Sequence, residues 1–343
     1  MTLKLKSTIL LTGAGFTANF GGILAKEMWS KILNNTKINL LPDVKKLLMK
    51  NFDFEDVYST FNNDENISDQ DKSLFQEVIL DSYGSMDNAL KLFCDTGFTQ
   101  YNICMRSVTK FLGLFTGVAE ETGVHFTLNQ DLLMERACQK IPLGFHTPAY
   151  SDYVQSINSK IINSESVVRL PDIFAIQDFK DKRLSSVGDS CYIKLHGSQG
   201  WESVHGKKQM VIGTNKFSDI QKEPLLSWYF DIFRQSIMRP GIELFVVGYS
   251  FRDKHVNDLL LEAINEHDLK IYIISPEDPS KFRDRMEGRP EQRHVVWQEQ
   301  ADTSNFKIWQ AVNGYFPYLL KDIFPEDHSE THIYRDIKDI ILS

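Results

Sequence analysis

Six short apolar runs punctuate the chain: Thr8–Leu11, Val124–Phe126, Tyr192–Leu195, Leu244–Val247, Ile271–Ile274 and Val295–Trp297. None alternates with polar residues, which is the pattern of strands covered on both faces. Between them the apolar positions recur at helical spacing. One such stretch is Pro224–Met238, ending at Pro240-Gly241; another is Val256–Glu266, with Val256, Leu259, Leu260 and Ile264 on one side. Strands alternating with helices predict a doubly wound parallel α/β sheet.

Two stretches break the rhythm. More than a hundred residues separate the first strand from the second, and the part from about Met28 to Glu121 carries helical patterns at Asp43–Met49, Phe54–Phe61, Gln70–Leu80 and Met86–Cys94. It reads as a large helical insertion, because structureless loops beyond roughly 12–15 residues are uncommon in compact domains. Pro142–Asp189 mixes polarity with three prolines and is expected to cover a pocket. The tail Ile308–Ser343 reads as one or two helices closing the sheet edge or meeting another subunit. The expected organisation is one domain over residues 1–300, with its insertion at about 28–121, followed by a helical segment over 301–343.

Each strand run ends in small, hydrogen-bonding residues: Thr12-Gly13-Ala14-Gly15, Thr127-Leu128-Asn129-Gln130-Asp131, Lys194-Leu195-His196-Gly197-Ser198 and Gly248-Tyr249-Ser250-Phe251-Arg252-Asp253. In an open parallel sheet the ligand crevice lies outside the carboxyl ends of the strands, so the four should converge.

Composition narrows the class without naming the chemistry. The chain of 343 residues is 42% hydrophobic and 24% charged, as in an ordinary globular protein, with a formal net charge of -8. That balance argues against a duplex-binding surface, which needs clustered Lys and Arg. No apolar run reaches the roughly 18 residues of a membrane span, and the start lacks a secretory pattern, so a cytoplasmic location is expected. Cys94, Cys104, Cys138 and Cys191 are far apart, without a paired spacing for structural zinc, and are expected as reduced, mostly buried thiols.

Gly13 and Gly15 allow a tight turn and close approach to a pyrophosphate, with amides of the following helix aimed at that anion. A plain strand-to-helix turn would look the same. The loop runs on through Phe16 and Thr17 to Ala18, at the third fingerprint position. A dehydrogenase would carry an acid about 20 residues on; here that region is Ile32-Leu33-Asn34-Asn35-Thr36, which counts against hydride transfer. Asn129 can donate to and accept from a ribose hydroxyl or water, while Asp131 suits a cap for a helix beginning at Leu132. His196, after a buried strand and before Gly197, is placed at a crevice mouth as a base near neutral pH. His125, His146, His205 and His255 lack that combination. Ser250 suits ribose or phosphate, Asp253 suits a helix cap, and Ser275 and Glu277 lie where an adenosine half would fall, beside Pro276, an ordinary helix start.

Taken in order, these four stretches resemble Sir2-like proteins over most of residues 7–277. The resemblance implies a Rossmann-like NAD-binding domain in which Asn129 and His196 act on the nicotinamide ribose. Gly13, Ala14, Gly15, Phe16, Thr17, Asp131, Gly248, Ser250, Ser275 and Glu277 would then hold the dinucleotide. Deacetylating sirtuins carry a four-cysteine zinc module and a Pro-Asp-Phe-Arg stretch after the glycines; this chain has neither, reading Asn19-Phe20-Gly21-Gly22 instead. It is more similar to bacterial Sir2-like NAD glycohydrolases of antiphage defence, particularly those paired with a HerA-like ATPase. The resemblance implies NAD+ as substrate and a partner protein. Cleavage of the nicotinamide bond requires no metal, and because unregulated loss of NAD+ would be toxic, an activity gated by assembly or a partner is expected. Aromatics of the insertion and tail, Phe52, Phe54, Phe61, Phe111 and Phe115 among them, suit a homo-oligomer contact. An NAD+ or ADP-ribose sensor with little turnover is the alternative, and a protein deacylase a third.

Overall fold

A computed structural model of the chain describes residues 4–96, 103–117, 121–137, 145–146, 168–182, 190–203, 208–288 and 303–343. The strands are β1 Lys4–Leu5, β2 Thr8–Thr12, β3 Glu121–Thr127, β4 Phe145–His146, β5 Val168–Arg169, β6 Ser190–Lys194, β7 Gly197–Glu202, β8 Lys208–Met210, β9 Glu243–Val247, β10 Lys270–Ile274 and β11 Val312–Phe316, and five of the six apolar runs fall on β2, β3, β6, β9 and β10. The main sheet runs β11-β10-β9-β2-β3-β6-β4, with β1 added beside β3, and every pairing is parallel. Counting its six principal strands in chain order gives 3-2-1-4-5-6, the doubly wound Rossmann order. The order reverses between β2 and β9, and a ligand crevice is expected at that switch point.

Successive residues of β2 feed opposite layers, as the two-residue period of a strand requires. Ile9 and Leu11 pack with Phe126, Val246 and the helix Pro224–Ile237. Leu10 packs with Phe245, Val247 and the insertion. The insertion supplies the helices Ala25–Leu33, Pro42–Lys50, Phe54–Asn63, Asp69–Thr96 and Met105–Gly113. Gln70–Leu80 and Met86–Cys94, expected as separate helices, are one continuous helix. Gly84 lies between them inside the helix, at a position where a Cβ would meet only Gln199 Nε2, at 3.8 Å.

The tail departs from expectation. Besides the helices Thr303–Gln310, Leu320–Ile323 and His332–Leu342 it contributes β11, an edge strand paired with β10. Asn313 and Gly314 interrupt its apolar run, and the strand is only partly buried, so the continuous pattern of a central strand is missing. The final helix packs on the insertion side with Ile337 and Ile341 buried. Val295–Trp297 lies outside the described residues, as does most of Pro142–Asp189; of that segment only β4, β5 and the helix Ile173–Lys182 are described. Cys104 and Cys191 are buried free thiols, and burial pushes Cys191 up to about 12. No group of cysteines among the described residues is placed to hold zinc. No helix among them is long and apolar enough to cross a membrane.

Candidate active site

The switch point is closed by backbone. Gly13 N donates to Val247 O at 3.0 Å and Gly15 N to Gly248 O at 2.8 Å, tying the end of β2 to the end of β9. A Cβ on Gly13 would lie 2.7 Å from Gly248 O, and one on Gly15 2.8 Å from Gly248 Cα. Gly248 has φ +67, and a Cβ there would fall 2.2 Å from Phe16 N. The glycines are therefore demanded first by loop-against-loop packing. With Phe16 N bonded to Gly13 O at 2.9 Å, the Gly13, Gly15 and Phe16 amides all serve the protein itself. Phe16, expected in the cofactor loop, turns into the core against Phe20.

At the end of β3, Asn129 donates through Nδ2 to Gly13 O at 2.9 Å and to Thr17 Oγ1 at 2.8 Å. Its amide nitrogen fastens the glycine loop to the neighbouring strand. Asp131 accepts from Leu133 N at 2.9 Å and so caps the helix Leu133–Ala137, one residue later than expected. Burial holds its carboxyl above the usual range. Beneath it Lys194 and Glu135 form a fully buried ion pair at 2.8 Å.

His196 follows β6. It is not an exposed base titrating near neutrality: the residue is 3% exposed, and burial drives its imidazole down to about 3. Its Nε2 lies 2.9 Å from Nε2 of His255, a residue set aside in the sequence reading, and the Leu128 carbonyl accepts from the ring. His255 belongs to the helix Lys254–His267 and is held at about 4, again chiefly by burial. Asp253 precedes that helix but makes no side-chain cap. Its carboxylate is drawn instead to Lys216, at 2.7 Å, which also pairs with Glu55 of the insertion at 2.8 Å. Burial would raise Asp253, but His196, Lys216 and His255 hold it down at about 2. With both imidazoles neutral at pH 7, the Lys216 ammonium is the lasting cation.

The other end of the cleft is more open. Ser250 is exposed, and its carbonyl accepts from Arg285 at 2.7 Å. Arg285 also pairs with Glu277 at 2.8 Å and lies over the Phe282 ring. Ser275 Oγ accepts from Glu277 N at 3.4 Å, and Tyr315 OH donates to Glu277 O at 2.9 Å. Pro276 does not start the next helix; Asp278 caps it, and it begins at Pro279.

All these groups border one cleft of about 2010 Å³. It takes in Gly13, Ala14, Gly15, Thr17, Asn129, Asp131 and His196 on one side of the switch point. Across from them are Gly248, Ser250, Ser275 and Glu277, so of the expected residues only Phe16 is absent. Sequence reasoning missed His255, Lys216, Glu55 and Arg285. Of these only His255, two residues past Asp253 at a helix start, carried a readable signal. The ligating atoms of His196, Asp253 and His255 fall within 4.8 Å of one another, near enough to meet at one small cation.

Strand order, switch point and cleft define a Rossmann-like α/β protein with its crevice at the carboxyl ends of the strands. The chain belongs to the SIR2-like domain family, whose pattern matches residues 123–301. The match begins inside β3, so it takes in Asn129, His196 and His255 but not the glycine loop. No curated protein matches the chain. Membership carries an NAD-related activity in the broad sense.

Proposed function

We propose that the protein hydrolyses NAD+ to nicotinamide and ADP-ribose. The observation that carries this reading is the meeting of Asn129 and His196 in one cleft with the Gly13–Gly15 and Gly248–Ser250 turns, inside a SIR2-like domain. The nicotinamide nitrogen is cationic and leaves readily, so the site need mainly stabilise an oxocarbenium-like ribose and position water. Asn129 holds the ribose and the water, and His196 accepts the proton. Ser250, Ser275 and Glu277 take the adenosine half. The reaction as drawn needs no metal.

Free consumption of a central metabolite is toxic, so the activity is gated. The reading extends to a cytoplasmic homo-oligomer that depletes NAD+ in antiphage defence with a partner such as a HerA-like ATPase. A second reading, an NAD+ or ADP-ribose sensor, is favoured by one observation: the Asn129 amide nitrogen is already spent on Gly13 and Thr17. Incubating the purified protein with NAD+, alone and with its neighbouring gene product, and separating the products by chromatography tests both. Nicotinamide release supports the hydrolase; tight binding without release in either mixture supports the sensor.

A further inference from the structure

The proposed hydrolysis needs a proton acceptor, and His196 is poorly placed to keep a proton. Its ring is buried, and one nitrogen is committed to the Leu128 carbonyl. Its Nε2 sits 2.9 Å from Nε2 of His255. Two imidazole nitrogens at that distance share one proton, because one must donate and the other accept. With the other nitrogen of His196 donating to Leu128, its Nε2 is bare and His255 supplies the N–H.

His255 differs from His196 in its surroundings. It is half-buried, borders the cleft, and packs against Phe230 at 5.5 Å and Phe217 at 6.4 Å between ring centroids. Its charged neighbours are Asp253, Lys216 and Asp258, with Lys216 itself held by Glu55. The Asp253 carboxylate faces both rings, so what sets His255 apart is its opening to the cleft, where a cation keeps more of its hydration than one on the buried His196.

We infer that His196 and His255 act as one proton-accepting pair, with His255 the member that carries the proton out to the cleft. This rests on the hydrolase reading. In the step, a water oxygen forms a bond to ribose C1′ while the bond from C1′ to the nicotinamide nitrogen breaks. That bond's electron pair leaves with neutral nicotinamide. The water's proton enters the pair, comes to rest on His255 beside Asp253, and is released to solvent, so NAD+ and water yield nicotinamide, ADP-ribose and one proton. Lys216 and Glu55 fix Asp253 and thereby the pair. A metal ion is the competing occupant, but the Lys216 ammonium, 2.7 Å from the Asp253 carboxylate, opposes a second cation there.

The test uses the full chain and His255→Ala and His255→Gln variants. His255→Ala is expected to lower kcat on NAD+ about a hundredfold, in the range of lost acid–base assistance, with KM moving about threefold or less. Added imidazole restores turnover to the alanine variant and not to the glutamine one. Independently of turnover, long-range proton–nitrogen NMR should show His196 Nε2 bare, His255 Nε2 protonated, and the first added acid proton arriving on His255. Full kcat in His255→Ala, a His196 signal indifferent to His255→Gln, or one tightly bound metal per chain lost in His255→Ala would each overturn the inference. A wild-type protein that releases no nicotinamide removes the hydrolase reading. The NMR titration then still decides the pair: rings that protonate independently end it, and coupled rings retain it.

Discussion

At the histidine end of the cleft almost every polar group is buried and already answered by the protein: Asn129 by Gly13 and Thr17, His196 by His255 and Leu128, Asp253 by Lys216. At the serine end Ser250 is exposed, and the ion pair of Arg285 with Glu277 is partly in water. Buried, mutually fixed dipoles cost little reorganisation when charge develops, which suits chemistry. Partly hydrated groups exchange water for ligand cheaply, which suits binding. Substitutions at the two ends should therefore fail in different ways.

The largest effect is expected from His196→Ala, which should lower NAD+ cleavage by about 10²–10⁴-fold with NAD+ affinity nearly kept. Calorimetry beside a nicotinamide assay measures both, and equal loss of binding would erase the contrast between the ends. Next comes Glu135→Gln, which strips the carboxylate from the buried Lys194 under β6. Breaking such a pair costs on the order of 3–5 kcal/mol, read as a lower denaturant midpoint. An unchanged midpoint would show that this support is dispensable.

Acid should weaken the buried end. His125 and His196 are held by burial at about 3, below the ordinary 6.5, so the unfolded chain binds protons more readily than the folded one. Their contribution is complete above pH 6.5 and is lost as pH falls toward 3, on the order of 2 kcal/mol per ring at pH 4.5. Asp131 and Glu135, raised by burial, act in the opposite sense and trim the loss. Thermal melts at pH 7.5 and 4.5 should show a lower midpoint in acid; a higher one contradicts the assignment. The smallest effect is expected from Arg285→Ala, which frees Glu277 and the Ser250 carbonyl: KM for NAD+ up about tenfold, kcat nearly unchanged, in keeping with a lost charge-assisted contact. A kcat loss instead would place chemistry at the open end.

The strand-end motifs were legible because central parallel strands are uninterrupted apolar runs, and whatever follows such a run stands at the crevice. The support was less so. Lys216 and Glu55 meet Asp253 from a short helix and from the insertion, a contact of the folded chain with no periodicity to announce it. β11 hid behind Asn313 and Gly314 at an edge where burial is incomplete. The glycines were read for a ligand, whereas their missing side chains face one another across the switch point. Gly15→Val would thus damage the fold along with any binding. Phe54, Phe61, Phe111 and Phe115 fill the insertion core and offer no contact to another subunit, while Phe52 stays exposed beside Trp29.

The most direct measurement is nicotinamide and ADP-ribose release from NAD+ by the wild-type protein, alone and with its neighbouring gene product, against His196→Ala at matched NAD+ occupancy. Equal amounts of the two products from the wild type and almost none from the variant are predicted. Equal release by both, or NAD+ bound and recovered intact from the wild type, would contradict the account.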